Sequence, residues 1–314
     1  NIINHQSLIA TKTSRIVRAA KGRPVSDFGA RRAHNMDAAV YGARAAYIGG
    51  AAGSATVLSG KMFGIPISGT MAHSWVMYHD SEYEAFASYA RLYPAGTVLL
   101  IDTYDVLRSG TPNAIRCAKE VLEPMGQRLK GVRLDSGDLA YLTKEVRKML
   151  DAAGLEDCKI VASNSLDEYS ISSIIDQGGC IDAFGVGERL ITSKSDPVFG
   201  GVYKISAVEK NGVVLPKIKV SEAVEKITNP GRKDVYRIYD HTGHAIADLI
   251  THEGEEVDLS KPYRCIDTVR PWMDVELREC TAKPLLKKVI SGGKSVYRAR
   301  SLEEIRDYVA EQLR

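Results

Sequence analysis

Five short apolar runs, each followed by a stretch with helical spacing, constrain the fold of this chain. They begin at Ile65, Val98, Val132, Ile160 and Ile181, so that successive runs start 33, 34, 28 and 21 residues apart. This interval is typical of β-loop-α units, whose strands lie parallel in a buried sheet or barrel. The sequence therefore predicts an α/β fold whose functional groups gather at the carboxyl ends of the strands.

The patterning divides the chain into three predicted segments. Residues 1–22 are expected to form one helix left from a longer N-terminal region, because the chain opens inside a helical pattern. Residues 23–205 carry the β-loop-α rhythm of a barrel domain. Residues 206–314 show period-two alternation with turn signals such as Asn211-Gly212, and they end in an amphipathic helix. A smaller, mainly antiparallel β domain is expected there.

Composition excludes several classes of protein. The 44% hydrophobic content of the 314 residues is enough for a sizeable core. The 42 basic and 39 acidic residues give a net charge of +3 without a block of like charge, so neither nucleic acid nor a membrane is expected as a partner. The five cysteines lack the close pairing of a zinc ribbon, and reduced thiols in a cytoplasmic protein are the predicted state.

The segment Gly69–Ser74 leads from the first apolar run into a predicted helix. It places Thr70, His73 and Ser74 at a helix start, where free amides and the helix dipole favour an anion. A histidine at this position can also serve only as a cap. Its place at a strand end, among other sites of the same kind, favours a functional role for His73.

Charged residues stand at two further strand ends. Asp102 follows the second run, where it is a candidate ligand of ribose or Mg²⁺. Strand alternation sends Arg133 and Asp135 to the same face. A guanidinium beside a carboxylate is usually a salt bridge, but at a barrel strand end Arg133 can hold an anion or stack on a ring, and Asp135 can accept from sugar hydroxyls or bind a metal through water. Arg31 and its neighbour Arg32 are candidate partners of a polyanion.

Small residues follow the last two runs. Ser163 and Asn164 end one of them, and Gly185 and Gly187 lie in the other, so both loops expose backbone of the kind that holds a phosphate. The chain contains neither GxxxxGK[ST] nor GxGxxG. The sequence therefore predicts neither a nucleotide P-loop nor a dinucleotide-binding fingerprint.

Together these strings resemble the nicotinate phosphoribosyltransferase family. The matching motifs occur in order, and they are Asp27–Ala33, Gly69–Ser74, Ile101–Tyr104, Gly131–Leu139, and Phe184–Gly187 ahead of Gly201–Lys204. The resemblance implies an irregular TIM-like α/β barrel that condenses nicotinate with 5-phosphoribosyl 1-pyrophosphate to nicotinate mononucleotide and pyrophosphate in NAD salvage. It also implies Mg²⁺ as cofactor, and ATP as a co-substrate whose hydrolysis is coupled through a phosphohistidine. A homodimer is the expected assembly.

The resemblance further implies a role for each matched residue. The catalytic set is His73, the residue to be phosphorylated, with Asp102 and Asp135, which serve ribose and metal. The substrate-binding set is Arg31, Thr70, Ser74 and Arg133. Within it, Thr70 and Arg133 contact nicotinate, and Arg31 meets the pyrophosphate or the ring. The 5′-phosphate set is Ser163, Asn164, Gly185 and Gly187. Which atoms bind the metal is left open. Glu188 departs from the pattern, because the resemblance implies a small hydroxyl residue at this position. A carboxylate beside a phosphate is repulsive unless it points away.

Two alternatives stay open at this stage. A nicotinamide phosphoribosyltransferase would need an acidic residue that accepts from the carboxamide, and the sequence has no Asp or Glu between Asp37 and Asp80, where that residue is expected. A catalytically silent barrel that binds a phosphosugar is the alternative from a different class. The N-terminal region of the family lends an aromatic residue to the pyridine pocket, often from a partner subunit, and this chain is expected to lack it.

Overall fold

The computed structural model describes residues 1–222, 226–267, 270 and 272–313. The chain forms two compact units. The first unit contains Asn1–Gly200 and Ser301–Leu313, and the second contains Gly201–Arg300. Among the described residues, no helix is both long enough and apolar enough to cross a membrane.

Among the described residues, the α-helices belong to the first unit. They are α1 (Ile2–Ala19), α2 (Met36–Ile48), α3 (Val57–Phe63), α4 (His73–Tyr78), α5 (Glu82–Leu92), α6 (Thr111–Cys117), α7 (Leu139–Ala152), α8 (Glu168–Asp176), α9 (Glu188–Ile191) and α10 (Leu302–Gln312). Side-chain caps fix several starting points, since Asn35, Asp138, Asp167 and Ser301 each accept from a backbone amide in the first turn that follows.

A six-stranded parallel sheet forms the centre of the first unit. Its strands are β1 (Val25–Asp27), β2 (Gly53–Ser54), β3 (Val98–Leu100), β4 (Gly131–Leu134), β5 (Lys159–Ala162) and β6 (Ala183–Val186), in the order β2-β1-β6-β5-β4-β3. The sheet is buried, because Leu99, Leu134, Ile160 and Phe184 are each at most 1% exposed. This burial explains why the strands read as continuous apolar runs in the sequence.

The segment that follows β2 links the two edges of this sheet at the carboxyl ends of its strands. Ser54 of β2 forms a parallel bridge to Ile67, and the chain that follows reaches the opposite edge of the sheet. There Arg133 Nη2 donates to the Met71 carbonyl at 2.9 Å, and His73 Nδ1 lies 3.1 Å from Thr103 Oγ1. The predicted irregular α/β barrel is thereby confirmed, with side chains joining the edges.

Within the part of the chain that the structure describes, the first apolar run forms this bridge and no strand. Pro66 lies in its centre and has no amide hydrogen to donate to a ladder, so the run cannot pair as a full strand. Its carbonyl still accepts from the Ser54 amide at 3.0 Å. This edge of the barrel therefore remains short, and the segment behind it is free to turn towards the strand ends.

The second unit consists of antiparallel strands, as predicted. They are β7 (Ala207–Lys210), β8 (Val213–Pro216), β9 (Lys233–Tyr239), β10 (Ala245–His252), β11 (Tyr263–Ile266), β12 (Asp274–Leu277), β13 (Thr281–Pro284), β14 (Ile290–Ser291) and β15 (Lys294–Ser295). The largest sheet has the order β10-β9-β13, and the other strands pair as hairpins in sequence order. Asn211 and Gly212 both have positive φ, 52° and 78°, which is the geometry expected of an Asn-Gly hairpin turn.

The ends of the chain pack differently from the division that the sequence suggests. The C-terminal helix α10, expected with the β-rich segment, lies in the first unit because Arg306 donates to the carbonyl oxygens of Tyr47, Gly50 and Ala51 at the end of α2. Residues 1–22 also lie in the first unit, where Arg44 of α2 donates to Gln6 of α1 at 2.8 Å.

Candidate active site

A cavity of about 410 Å³ opens at the carboxyl ends of the barrel strands. Nine of the eleven candidate residues line it, namely Arg31, Thr70, His73, Arg133, Asp135, Ser163, Asn164, Gly185 and Gly187. The other two stand outside the wall that the described residues form. Asp102 is buried beneath His73, and Ser74 is exposed on the first turn of α4. The motifs that lie far apart in sequence thus converge on one cavity.

His73 stands between two carboxylates and a hydroxyl. Its Nε2 lies 3.8 Å from Asp102 Oδ1 and 3.7 Å from Asp135 Oδ2, and its Nδ1 is at hydrogen-bond distance from Thr103. The imidazole is 40% exposed, whereas the Asp102 side chain is only 1% exposed. The ring is therefore held in orientation by its partners while one face remains accessible from the cavity.

Two serines fix the carboxylates around this histidine. Asp102 Oδ2 accepts from the Asp135 amide at 2.8 Å and from Ser136 Oγ at 2.6 Å. Asp102 Oδ1 is buried and accepts no hydrogen bond from the described residues, so it is directed at His73 alone. Ser163 Oγ donates to Asp135 Oδ1 at 2.5 Å. Ser163 is predicted to bind the phosphate, and here its hydroxyl hydrogen is donated to a carboxylate instead.

Arg133 lies in the cavity wall between charged and aromatic neighbours. Burial lowers the pKa of its guanidinium, and the nearby carboxylates Asp135 and Asp102 oppose that shift. Its Cζ lies 5.8 Å from the centre of the Phe28 ring, and its buried Nε donates no hydrogen bond within the described residues. Phe28 also lines the cavity. The pair offers a flat apolar face beside a cationic group, which suits an anionic aromatic ring.

The position of Phe28 depends on its neighbours below the wall. A side chain at Gly185 would place its Cβ 2.3 Å from Phe28 Cε2, so the ring packs directly on that glycine. The buried Asp27 accepts from the Gly29 amide and from Ser54 Oγ, both at 2.8 Å, which ties the loop after β1 to β2. Burial raises the pKa of the Asp27 carboxyl against these two hydrogen bonds.

The loop after β5 has a strained backbone. Asn164 and Ser165 have φ values of 104° and 43°, in a region that non-glycine residues rarely adopt. Each such residue costs on the order of 1–3 kcal/mol, and the conformation persists only where the surrounding structure holds it. Both residues line the cavity. Strain at a cavity wall is typical of a preorganised binding loop.

The charge of Glu188 is compensated in this structure. Its Oε1 lies 2.7 Å from Lys194 Nζ, and this contact, with Arg32 and Arg189 nearby, lowers the pKa of the Glu188 carboxyl. Glu188 lines the cavity beside Gly187. Because a lysine neutralises the carboxylate, the repulsion anticipated from the sequence is reduced.

The carboxylates beside His73 are the candidate ligands of Mg²⁺ in this site. Among the described residues, no group of three or more His, Cys, Asp or Glu side chains is arranged to hold a metal ion. The orphaned oxygen Asp102 Oδ1 and the partly exposed Asp135 nevertheless face the same imidazole. One or two carboxylates fit Mg²⁺ when the remaining ligands are waters and substrate phosphates. The residues therefore fit an ion that arrives with a phosphorylated substrate.

Sequence reasoning missed several residues of the site. Thr103 and Ser136 directly follow the candidates Asp102 and Asp135, and Phe28 stands inside the first family motif. A hydroxyl one position beyond a strand-end carboxylate is a signal that could have found the first two. No local signal indicates Phe28, because its role depends on the ring packing against a glycine on a different strand.

Comparisons with known proteins agree with this arrangement. The chain matches the model of the nicotinate phosphoribosyltransferase (NAPRTase) family over residues 24–234, and that of the nicotinate phosphoribosyltransferase C-terminal domain over residues 232–314. It is 45% identical to nicotinate phosphoribosyltransferase of Bacillus subtilis, in an alignment that covers 100% of this chain and 64% of the relative. It is 40% identical to nicotinate phosphoribosyltransferase pncB2 of Mycobacterium tuberculosis, with 100% of this chain and 60% of the relative covered. The chain thus spans about three fifths of the length of these curated relatives.

Solved structures match as well. Human nicotinic acid phosphoribosyltransferase superposes with a TM-score of 0.80 at 26% identity, covering 99% of this chain and 68% of the human chain. Nicotinate-nucleotide pyrophosphorylase from Pyrococcus furiosus gives a TM-score of 0.68 at 28% identity, with 98% and 70% covered. The resemblance read from the motifs is confirmed. The chain belongs to the nicotinate phosphoribosyltransferase family.

Proposed function

We propose that this protein condenses nicotinate with 5-phosphoribosyl 1-pyrophosphate to nicotinate mononucleotide and pyrophosphate, a reaction of NAD salvage. The observation that carries the proposal is the convergence of nine candidate residues on one cavity at the strand ends. Family membership supports the same reaction, because the curated relatives are named for it. The cavity combines cationic, acidic and aromatic groups, which are the groups that a charged sugar phosphate and a pyridine require.

The chemistry proceeds at the anomeric carbon of the ribose. The pyridine nitrogen forms a bond to C1 while the bond between C1 and the pyrophosphate oxygen breaks, and the electron pair leaves with pyrophosphate. Positive charge develops on the ribose during this exchange, and Asp135 supplies compensating negative charge at the wall. Arg31 lies in the same wall and compensates the charge of the departing group. Mg²⁺, when bound through the phosphates, would further neutralise that group.

Nicotinate is the proposed pyridine because of charge. Its carboxylate needs a cationic partner when it leaves water, and Arg133 lies beside the aromatic face of Phe28. A carboxamide would instead need an acceptor for its NH₂ group. Among the described residues of the wall, Asp135 accepts from Ser163 through Oδ1 and lies beside His73 through Oδ2, and Glu188 pairs with Lys194, so each carboxylate already has a neighbouring donor. This arrangement favours nicotinate over nicotinamide.

ATP coupling through His73 is part of the proposal. The imidazole faces the cavity, and its two nitrogens are oriented by Thr103 and by the carboxylates Asp102 and Asp135. The unprotonated ring nitrogen would attack the γ-phosphorus of ATP, ADP would leave with the electron pair of the broken bond, and the other ring nitrogen would release its proton. Water would later hydrolyse the phosphohistidine to free phosphate, which restores the imidazole.

The test is an assay of the purified protein with phosphoribosyl pyrophosphate and either pyridine, with and without ATP. We expect nicotinate mononucleotide and pyrophosphate in equal amounts, ATP-stimulated, and a kcat/KM for nicotinate roughly 10⁴-fold above that for nicotinamide. Comparable values for the two pyridines would refute the assignment. Binding of the phosphosugar without product would indicate the silent barrel instead. Size-exclusion chromatography with light scattering, and fractionation of cells, test the proposed homodimer and its cytoplasmic location.

A further inference from the structure

Two neighbouring carboxylates connect the start of α8 to other elements of the barrel. Asp167 accepts from the backbone amides of Tyr169 and Ser170 and forms an ion pair with Arg189 of α9. Glu168 forms an ion pair with Lys12 of α1, in which Nζ lies 2.7 Å from Oε2. Lys12 and Glu168 are only 4% and 7% exposed, so this pair is buried. We call these two ion pairs the α8 clamp.

The α8 clamp lies directly behind the cavity wall. Asn164 and Ser165 of the wall precede Asp167 by three and two residues, and Glu188 of the wall directly precedes Arg189 in the chain. The ion pair between Asp167 and Arg189 therefore joins the loop after β5 to the helix that follows the loop after β6. These two loops carry Ser163, Asn164 and Gly187 of the proposed 5′-phosphate residues, and Gly185 lies in β6 just before the second loop.

The second pair of the clamp secures the same two segments from the side of α1. Lys12 Nζ also donates to Ser195 Oγ at 3.3 Å, so one lysine contacts both the start of α8 and the segment after α9. The backbone is strained on both sides of this contact. Asn164 and Ser165 have positive φ before α8, and Ser193 and Ser195 have φ values of 45° and 99° after α9. Such conformations persist only where their surroundings over-determine them.

Charge gives the clamp a second consequence. Asp167 and Glu168 are two adjacent negative charges near a site proposed for an anion, where they would repel a phosphate if they were not compensated. Arg189 compensates Asp167, and Lys12 together with Arg15, whose Nε lies 3.3 Å from Glu168 Oε1, compensates Glu168. The Asp167 carboxyl also accepts from Ser170 Oγ at 3.0 Å, which keeps it in place independently of the arginine.

We propose that Arg189 and Lys12 are positioning residues that, through Asp167 and Glu168, hold the loops after β5 and β6 in the conformation that a substrate phosphate requires. This inference rests on the proposed function of those loops. Neither cation is among the residues that line the cavity in the described structure, so both act through the residues that they hold.

The test compares phosphate binding in Arg189→Met and wild type. Because Arg189 is 39% exposed, its replacement is expected to leave the fold intact, which thermal unfolding verifies. Calorimetry with ribose 5-phosphate should then show a dissociation constant raised about tenfold or more, as is typical when positioned groups are misplaced. The KM for phosphoribosyl pyrophosphate should rise with it, whereas the KM for nicotinate should change little. Arg189→Lys should recover part of the affinity.

Two further variants make the reasoning specific. Arg116→Met removes an arginine from an exposed ion pair with Glu120 and should leave ribose 5-phosphate binding unchanged. The double variant Asp167→Asn/Arg189→Met removes both charges together. If positioning is the role, the double variant stays weak, and if its affinity returns to the wild-type value, the effect is electrostatic only and the positioning role is refuted.

The outcomes for the two proposals are separable. Wild-type protein that fails to bind ribose 5-phosphate contradicts the phosphate site, and with it the inference that depends on the site. Wild-type protein that binds this probe while Arg189→Met binds it equally well contradicts the positioning role alone. An equal loss of affinity for nicotinate and for ribose 5-phosphate in Arg189→Met would also refute it, because general damage rather than loop positioning would then be the cause.

Discussion

Replacing Gly185 with alanine should displace the aromatic wall of the cavity. The new Cβ would lie 2.3 Å from Phe28 Cε2 and 2.4 Å from Phe28 Cδ2. Since carbon atoms in contact sit about 3.5–4.0 Å apart, the ring has to move by roughly 1.2 Å or more. Overpacking of this kind costs about 1–3 kcal/mol of folding free energy. Because Phe28 lies beside Arg133 in the wall, kcat/KM for nicotinate should fall by up to about 10²-fold as well.

A double-mutant cycle with Phe28→Leu measures whether the ring is the cause. Denaturant unfolding of the two single variants and the double variant gives the interaction free energy directly. We expect Gly185→Ala to cost much less in the Phe28→Leu background, where Cε2 and Cζ are absent and the smaller side chain can rotate away from the new Cβ. Gly69→Ala is the matched control, because a Cβ at that cavity-lining glycine meets no atom within 4 Å and should leave the free energy of unfolding nearly unchanged. Additive effects of the two substitutions would refute the reasoning.

Three further predictions address the charged groups. His73→Ala should abolish ATP stimulation but retain some ATP-independent turnover, and initial rates with and without ATP measure this; full stimulation in the variant would exclude the phosphoryl-acceptor role. Arg133→Leu removes the charged partner of the pyridine carboxylate and should raise the KM for nicotinate about 10- to 100-fold, with little change in the dissociation constant of phosphoribosyl pyrophosphate; equal changes in both would contradict it. Because burial raises the pKa of Asp27, the native chain keeps this proton to higher pH than the unfolded chain, and the free energy of unfolding falls as the pH rises from about 3.9 through the native pKa. Asp27→Asn has no carboxyl at this position to titrate, so its free energy of unfolding relative to wild type should rise over the same pH interval. Unfolding by denaturant at a series of pH values measures this difference, and a difference that does not depend on pH would argue against a raised pKa.

The parallel strands were predictable because burial on both faces leaves a strong sequence signal. The runs at Val98, Val132 and Ile160 all form strands within one residue of their predicted starts. The run at Ile65 does not, since Pro66 removes a ladder donor, and a proline inside an apolar run is itself a visible warning. Strand β2 has two residues and no apolar run, so its pairing with β1 could come only from tertiary contacts.

The candidate residues were predictable where their chemistry coincides with a strand end. His73, Asp135 and Asn164 meet in one cavity because parallel strands deliver their carboxyl ends to the same side of the barrel. The exposed Ser74 shows the limit of this reasoning. A residue at a helix start is placed by the rotation of the helix, and one position further along α4 the side chain already leaves the wall.

The residues that hold the site in shape carry no comparable signal, because their partners are remote in sequence. Arg189 meets Asp167 across 22 positions, and Lys12 meets Glu168 across a span that includes most of the barrel. In the sequence, each is an ordinary charged residue on a helix. Gly185 also carries no such signal. From the sequence, the space left by its missing side chain could be filled equally well by a phosphate or by the ring of Phe28. Chemistry at strand ends can therefore be read from order and spacing, whereas the packing that fixes its geometry depends on which distant side chains the closed barrel brings together.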